Sequence, residues 1–444
     1  MNIVIAGDGE TGAHLARQLS SEHQDVVIIG TDRQRLAELD ARYNVMTGVG
    51  KAVSPLALQR AGVPGCDLFI SVTPWEEQNI IAAQLAKSLG ARRTVARIDT
   101  VEYVDSDMQQ LFARTGVDTM VFPELLATAE IEECLKRNWA RRWFELHGGQ
   151  IIVAAVRLGS DTPFDSFEIS RLGKTAYPFH VCAIKRHGYT IIPRGDDSLQ
   201  RGDIVYFSIL KDGYGQVMSL CGKENRHISK VMISGAGKMG RLAAASLSRH
   251  YAVKVIDADV RNCEKMSQTD GNITVIHADP RDVEVLREEG LAATDAFLAL
   301  NEGAEKNIVG CMLARQAGVP ILVADIEDIQ YFEESEHLEI DVVVNKKLLT
   351  SSTIFQMLLD TVLKTPKCLS LEDAEVLEIV AGEGAQATRK PVRDLRLPRG
   401  MTIAGLVRDG RGMLVSGSTQ IQPGDSVVVF CLAGTLSKVE KIFK

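Results

Sequence analysis

The sequence predicts an α/β chain in which a doubly wound parallel-sheet domain and a small α+β module each occur twice. Three observations carry this. First, a G-x-G-x-x-G turn follows a short apolar strand in two places, IVIAGDGETG at residues 3–12 and VMISGAGKMG at residues 231–240. Second, strand-like and helix-like patterns alternate after each turn, as parallel strands joined by crossover helices require. Third, matching residues recur at one spacing. Gly7, Gly9, Gly12, Asp67, Asn79 and Tyr103 meet Gly235, Gly237, Gly240, Asp295, Asn307 and Tyr331, each pair 228 apart (235 − 7 = 228). Ordered matches of this kind indicate an internal duplication.

In the first copy Ile3–Ala6 reads as a strand, and Gly12–Leu19 opens a helix with apolar residues at helical spacing. Val26–Ile29 is a continuous β-branched run, the pattern of a strand covered on both faces. A second helix starts at Thr31-Asp32, with Asp32 as its N-cap. Leu68–Val72 and Thr94–Ile98 are further strands, with an Asn79–Leu89 helix between them. The second copy repeats the pattern in Lys230–Ile233, Val253–Ile256, Ile273–Ile276, Ala296–Leu300 and Ile321–Ala324.

Each copy is followed by a different kind of segment. Gln150–Arg157, Val181–Arg186, Tyr189–Pro193 and Asp203–Leu210 are strand-like, and His187-Gly188 and Asp409-Gly410 suit two-residue hairpin turns. SLQRGDIVYF around Gly202-Asp203 matches TQIQPGDSVVVF around Gly424-Asp425, 222 residues later (424 − 202 = 222). Helical stretches at Pro123–Asn138 and Asn345–Lys364 join the parts, either as crossover helices or as solvated amphipathic linkers. The expected divisions are 1–122 and 226–344 for the parallel-sheet domains, and 123–225 and 345–444 for the helix-plus-module segments.

Composition narrows the function. The 444 residues carry 50 Lys+Arg against 58 Asp+Glu, a net charge of −8. Such a chain is a poor match for coating nucleic acid, which needs clustered positive charge. No apolar run approaches the roughly 18–20 residues that cross a bilayer. The start, MNIVIAGDGETG, enters a strand at once and lacks the pattern of a secretory signal. The eight cysteines are scattered without a C-x-x-C pair, so they read as buried thiols in a reducing cytoplasm.

The chemistry centres on the glycine turns. Gly7 and Gly235 let the chain turn out of the strand, Gly9 and Gly237 let backbone approach a pyrophosphate, and Gly12 and Gly240 let the helix pack on the sheet. The helix N-terminus offers unpaired N–H groups to phosphates, which brings Glu10, Thr11, Lys238 and Met239 into the site. An acid ending the second strand normally accepts the ribose hydroxyls. Asp257 supplies it in the second copy, whereas the first has Gly30 there and Asp32 two residues on. Asp257→Ala is therefore expected to weaken adenine-nucleotide binding more than Asp32→Ala. Asp279 is either an adenine or ribose contact or a helix cap. Thr73 joins the first site at the end of its fourth strand, and Arg97, at the end of the fifth, is placed to reach terminal phosphates where the second copy has Asp325.

Catalytic groups are not evident. No tyrosine has a lysine four residues later, and no histidine–acid pair recurs in both copies. Gly173-Lys174-Thr175 lacks the first P-loop glycine, position 168 being Glu168. The pattern points to sensing and not to turnover.

With these residues in hand, the sequence resembles the TrkA family, the cytosolic regulatory subunits of Trk-type potassium-uptake systems built from tandem RCK domains. GDGETG (7–12), DLFISVTPWEEQNI (67–80), ARIDTVEYV (96–104), GAGKMG (235–240), VIDAD (255–259), HADPRD (277–282) and the two Gly-Asp turns carry the resemblance over essentially the whole chain. It implies two Rossmann-like domains, each followed by an RCK C-terminal domain. It also implies a homo-oligomeric ring, dimer or tetramer, on the inner face of the membrane, bound to a potassium-translocating subunit. Ligands would be NAD(H) or ATP/ADP, and the chain would not be an enzyme. An NAD(P)-dependent oxidoreductase and a nucleotide sensor of another ion carrier are the rival readings.

Overall fold

The computed structural model describes residues 1–21, 24–159, 162–172, 177–269, 271–328, 331, 340–363, 367–370, 374–432 and 435–444. Gly173-Lys174-Thr175 lies outside them. The chain divides into two compact units. One comprises Met1–Leu126, Lys346–Glu372 and Ala433–Ser437, and the other Ala127–Asn345, Asp373–Leu432 and Lys438–Lys444.

In the first unit six parallel strands form one sheet: Asn2–Ala6, Asp25–Gly30, Met46–Val49, Leu68–Ser71, Arg93–Arg97 and Thr119–Val121. Numbered along the chain, their order is 3-2-1-4-5-6, so the order reverses between the first and fourth strands. Ligands of open α/β sheets bind outside the strand C-termini at such a switch point. Ile3, Ile5, Ile28, Phe69 and Ile70 are wholly buried, as strands covered by helices on both faces require. Of the residues matched between the copies, Asp67 ties the starts of the two central strands together by accepting the Asn2 N–H at 3.0 Å.

The Lys346–Leu363 helix belongs to this unit, although it follows the second parallel-sheet domain in sequence. It lies against the Glu10–Ser21 helix, and Ser351 Oγ donates to the Thr11 carbonyl at 3.5 Å. Ile354 and Phe355 are buried, so this helix is a packed element and not a solvated linker.

The second unit contains the second parallel sheet: Lys230–Ser234, Ala252–Asp257, Ile273–His277, Ala296–Ala299, Ile321–Asp325 and Val342–Val344, again in the order 3-2-1-4-5-6. Most of the Pro123–Lys136 helix also falls here, with Ala127, Ile131 and Leu135 buried. Both joining helices are thus placed with the unit that does not contain the domain before them.

The two α+β modules share the second unit. The first is an antiparallel sheet of Tyr189–Ile191, Phe179–Arg186, Ile204–Leu210, Ile151–Arg157 and Arg142–Leu146. The second has Arg411–Met413, Met401–Arg408, Ser426–Leu432 and Ala374–Val380 in the places of the first four of these. His187 and Gly188 have φ of 50° and 78°, and Asp409 and Gly410 have 49° and 74°, the geometry of the expected hairpin turns. Register slips at Val181/Ala183 and at Ile403/Gly405 repeat the same bulge. The modules meet at Tyr206 and Phe430, whose ring centroids are 5.4 Å apart. They meet again where His147 Nε2 lies 2.7 Å from the buried Glu378 carboxylate.

Candidate functional site

Each glycine turn leaves the first strand at the switch point. Gly7 has φ 133°, which L side chains rarely adopt, and its N–H donates to the Ile29 carbonyl at 2.9 Å. A Cβ on Gly12 would overlap the Gly7 carbonyl oxygen, so this glycine sets how closely the helix approaches the turn. A Cβ on Gly9 would meet nothing within 4 Å. The middle glycine therefore faces open space, while the outer two are required by packing. Gly235, Gly240 and Gly237 divide the same way, with Gly237 the open one. The Glu10–Ser21 and Lys238–Leu247 helices start at these turns and direct their partial positive ends toward the open side.

The copies differ in charge at that end. Lys238 is the first helical residue of the second copy, and Met239 beside it is buried. Glu10 takes the place of Lys238 in the first copy, and the Lys347 ammonium pairs with it. Lys347 lies 337 residues away in sequence, so no local pattern exposes this contact.

Fourth-strand ends are clamped alike in both copies. Asn79 Oδ1 accepts from the Thr73 N–H at 2.9 Å and from the Thr73 hydroxyl at 2.7 Å, while its Nδ2 donates to the Thr73 and Arg97 carbonyls. Asn307 does the same with Asn301 and Asp325. The repeated asparagine is a strap that shapes the crevice, and Thr73 is held as part of it. The Arg97 guanidinium turns to Asp99 Oδ1 at 3.0 Å and to the Thr73 carbonyl at 3.4 Å.

The acids divide into caps and pocket groups. Asp32 caps its helix, Oδ1 accepting from the Gln34 and Arg35 N–H groups at 2.9 and 3.1 Å. Asp259 caps the matching helix through the Arg261 N–H. Asp279 is exposed and takes three donors from Arg281, which hold its carboxyl down to about 2. The N-cap of the following helix is Asp282. Asp257 points inward, with Oδ2 accepting from the Ala236 N–H at 2.6 Å and Oδ1 from the Asp259 N–H at 2.7 Å.

Asp8, which no motif marks, joins the first turn. Its Oδ2 accepts from the Asp32 N–H at 3.0 Å. A Cβ on Gly30 would overlap the Asp8 carboxylate. The signal lay in the sequence as a pair: an acid inside the glycine turn, and none at the strand end. Among the described residues no group of His, Cys, Asp or Glu has metal-holding geometry.

Two glycine-turn parallel-sheet domains of this order define a nucleotide-binding Rossmann-like class. Family comparison is specific. The TrkA-N domain matches residues 3–123 and 231–346, and the TrkA-C domain matches residues 153–222 and 376–444. The chain belongs to the TrkA family. It is 29% identical over 452 residues to the Trk system potassium uptake protein TrkA of Azorhizobium caulinodans, covering 100% of this chain and 99% of that protein. It is 30% identical over 448 residues to a TrkA homolog of Archaeoglobus fulgidus, covering 100% of both. The fold matches the crystal structure of the GsuK RCK domain with a TM-score of 0.60 at 16% identity, covering 100% of this chain and 94% of that one. It matches the GsuK channel bound to NAD with a TM-score of 0.60 at 15% identity, covering 100% and 78%. These matches place the chain among proteins of Trk-type potassium uptake.

Proposed function

We propose that this chain is the nucleotide-operated gating subunit of a Trk-type potassium transporter. It assembles as a ring of identical copies on the inner face of the membrane and controls a separate pore subunit. The observation that carries the reading is the pair of open glycine turns, Gly9 and Gly237, each at a switch point and each at the start of a helix. The NAD-bound neighbour supports a dinucleotide, and the ADP moiety common to NAD(H), ATP and ADP is the shared ligand chemistry. None of the helices described is long and apolar enough to cross a membrane, in keeping with a separate pore chain.

The mechanism is a population shift. A nucleotide moves the gate only by the difference in its affinity for two arrangements of the ring. A tenfold preference is worth about 1.4 kcal/mol per site, and a ring of several chains multiplies it.

A thermal-shift panel of ATP, ADP, NAD, NADH and cyclic dinucleotides on the whole chain tests the binding step. Adenine nucleotides are expected to raise the unfolding temperature in step with the logarithm of their concentration, with about 2.7 kcal/mol of stabilisation at a hundredfold excess over Kd. Asp257→Ala reduces this shift more than Asp32→Ala, because Asp257 faces the turn and Asp32 caps a helix. A flat panel overturns the proposal. Co-purification with a Trk-type membrane subunit, and nucleotide-dependent potassium uptake in reconstituted vesicles, test the gating step.

A further inference from the structure

We infer that Asp8 is the ribose-binding acid of the first nucleotide site, supplied by the glycine turn in place of the second strand. This deepens the nucleotide-binding reading above and rests on it.

The register of the two sheets fixes the correspondence. Ala6 pairs with Ile29 in the first copy and Ser234 with Ile256 in the second, so Gly30 matches Asp257 and Asp8 matches Ala236. The copies have exchanged residues across one gap: acid in the turn and glycine on the strand, or alanine in the turn and acid on the strand. The two carboxylates also reach the same donor. Asp257 Oδ1 accepts the N–H of Asp259, and Asp8 Oδ2 accepts the N–H of Asp32, the corresponding residue. Gly30 is what makes room, since a side chain there would displace the Asp8 carboxylate.

A carboxylate held at this spot offers its remaining lone pairs toward the crevice, where two vicinal hydroxyls find one charged acceptor. Asp32 does not fill the role, because its Oδ1 is taken by the Gln34 and Arg35 N–H groups. The first site therefore keeps a ribose acceptor despite the missing strand-end acid.

The test uses the full chain with ADP and 2′,3′-dideoxy-ADP as probes, read by calorimetry. Gly237→Asp blocks the second site by placing a carboxylate on its open side, so that ADP reports the first site. In that background Asp8→Ala and the near-isosteric Asp8→Asn are expected to weaken ADP by about tenfold to a hundredfold, the range for losing a charged acceptor. Dideoxy-ADP, already weak, changes less than threefold. Adding Gly30→Asp to Asp8→Ala returns the acid from the other side and restores ADP to within a few fold of the parent. Equal losses for both probes make Asp8 a shaper of the turn only and overturn the inference. Binding by Gly9→Asp but not by Gly237→Asp overturns it too, while leaving nucleotide sensing intact through the second site. Wild-type protein that binds no ADP removes the sensing reading itself.

Discussion

Asp203 is 2% exposed at a glycine turn, and its two oxygens take the Nε and Nη2 donors of Arg186 at 2.8 and 2.7 Å. It also accepts the Gln200 N–H at 2.8 Å. Asp425 repeats all of this with Arg408 and Gln422. The duplicated Gly-Asp signature is thus a fastener that pins a turn to a strand, and not a ligand group. Arg186→Ala leaves a buried carboxylate unpaired and is expected to cost about 3 kcal/mol, the lower end for such a break because the arginine is partly exposed. Chemical denaturation checks this, with Arg201→Ala on the same module as an exposed control. Much of the candidate site was legible at this scale. The outer glycines gave packing and the middle ones open space, as the spacing implied. Asp8 was hidden because its role shows only against Gly30, and Lys347 because its partner is near only in space.

The Glu10–Ser21 helix carries the first glycine turn at its start and a buried histidine one turn in. Burial, with Arg17 beside it, pushes the His14 imidazole down from 6.5 to about 4. The group folds neutral, so its contribution is complete above pH 6.5 and is lost as the pH falls toward 4. Between pH 7 and pH 5 this costs roughly 2 kcal/mol. Urea unfolding at the two pH values is expected to show that loss in the wild type and about 2 kcal/mol less of it in His14→Gln. Among the elements, strands buried on both faces, such as Asp25–Gly30, announced themselves as apolar runs. Met46–Val49 did not, because MTGV lies at a sheet edge with exposed and half-buried positions and no run to read.

The whole molecule is interleaved. The Lys346–Leu363 helix completes the unit that holds the first glycine turn, and Ala127–Lys136 lies in the unit that holds the second. A cut at residue 225 therefore takes from the first half the helix that packs on its opening helix, and divides the second unit between the fragments. The fragments 1–225 and 226–444 are expected to bind a hydrophobic dye when expressed alone and to co-purify without it when expressed together. Two well-folded fragments that ignore each other would contradict the assignment. The duplication was plain from the constant spacing. The return of the Lys346–Leu363 helix to the first unit was not, because a repeat shows which pieces are alike and says nothing of which piece each one covers. Interleaving also bears on synthesis. At about 5–20 residues per second, the ribosome delivers residue 346 roughly 10–40 s after residue 126. Throughout that interval the side of the opening helix that Lys347 and Ser351 later cover stands bare on the nascent polypeptide, so a chaperone at the tunnel exit has a defined surface to shield and a defined moment to let go.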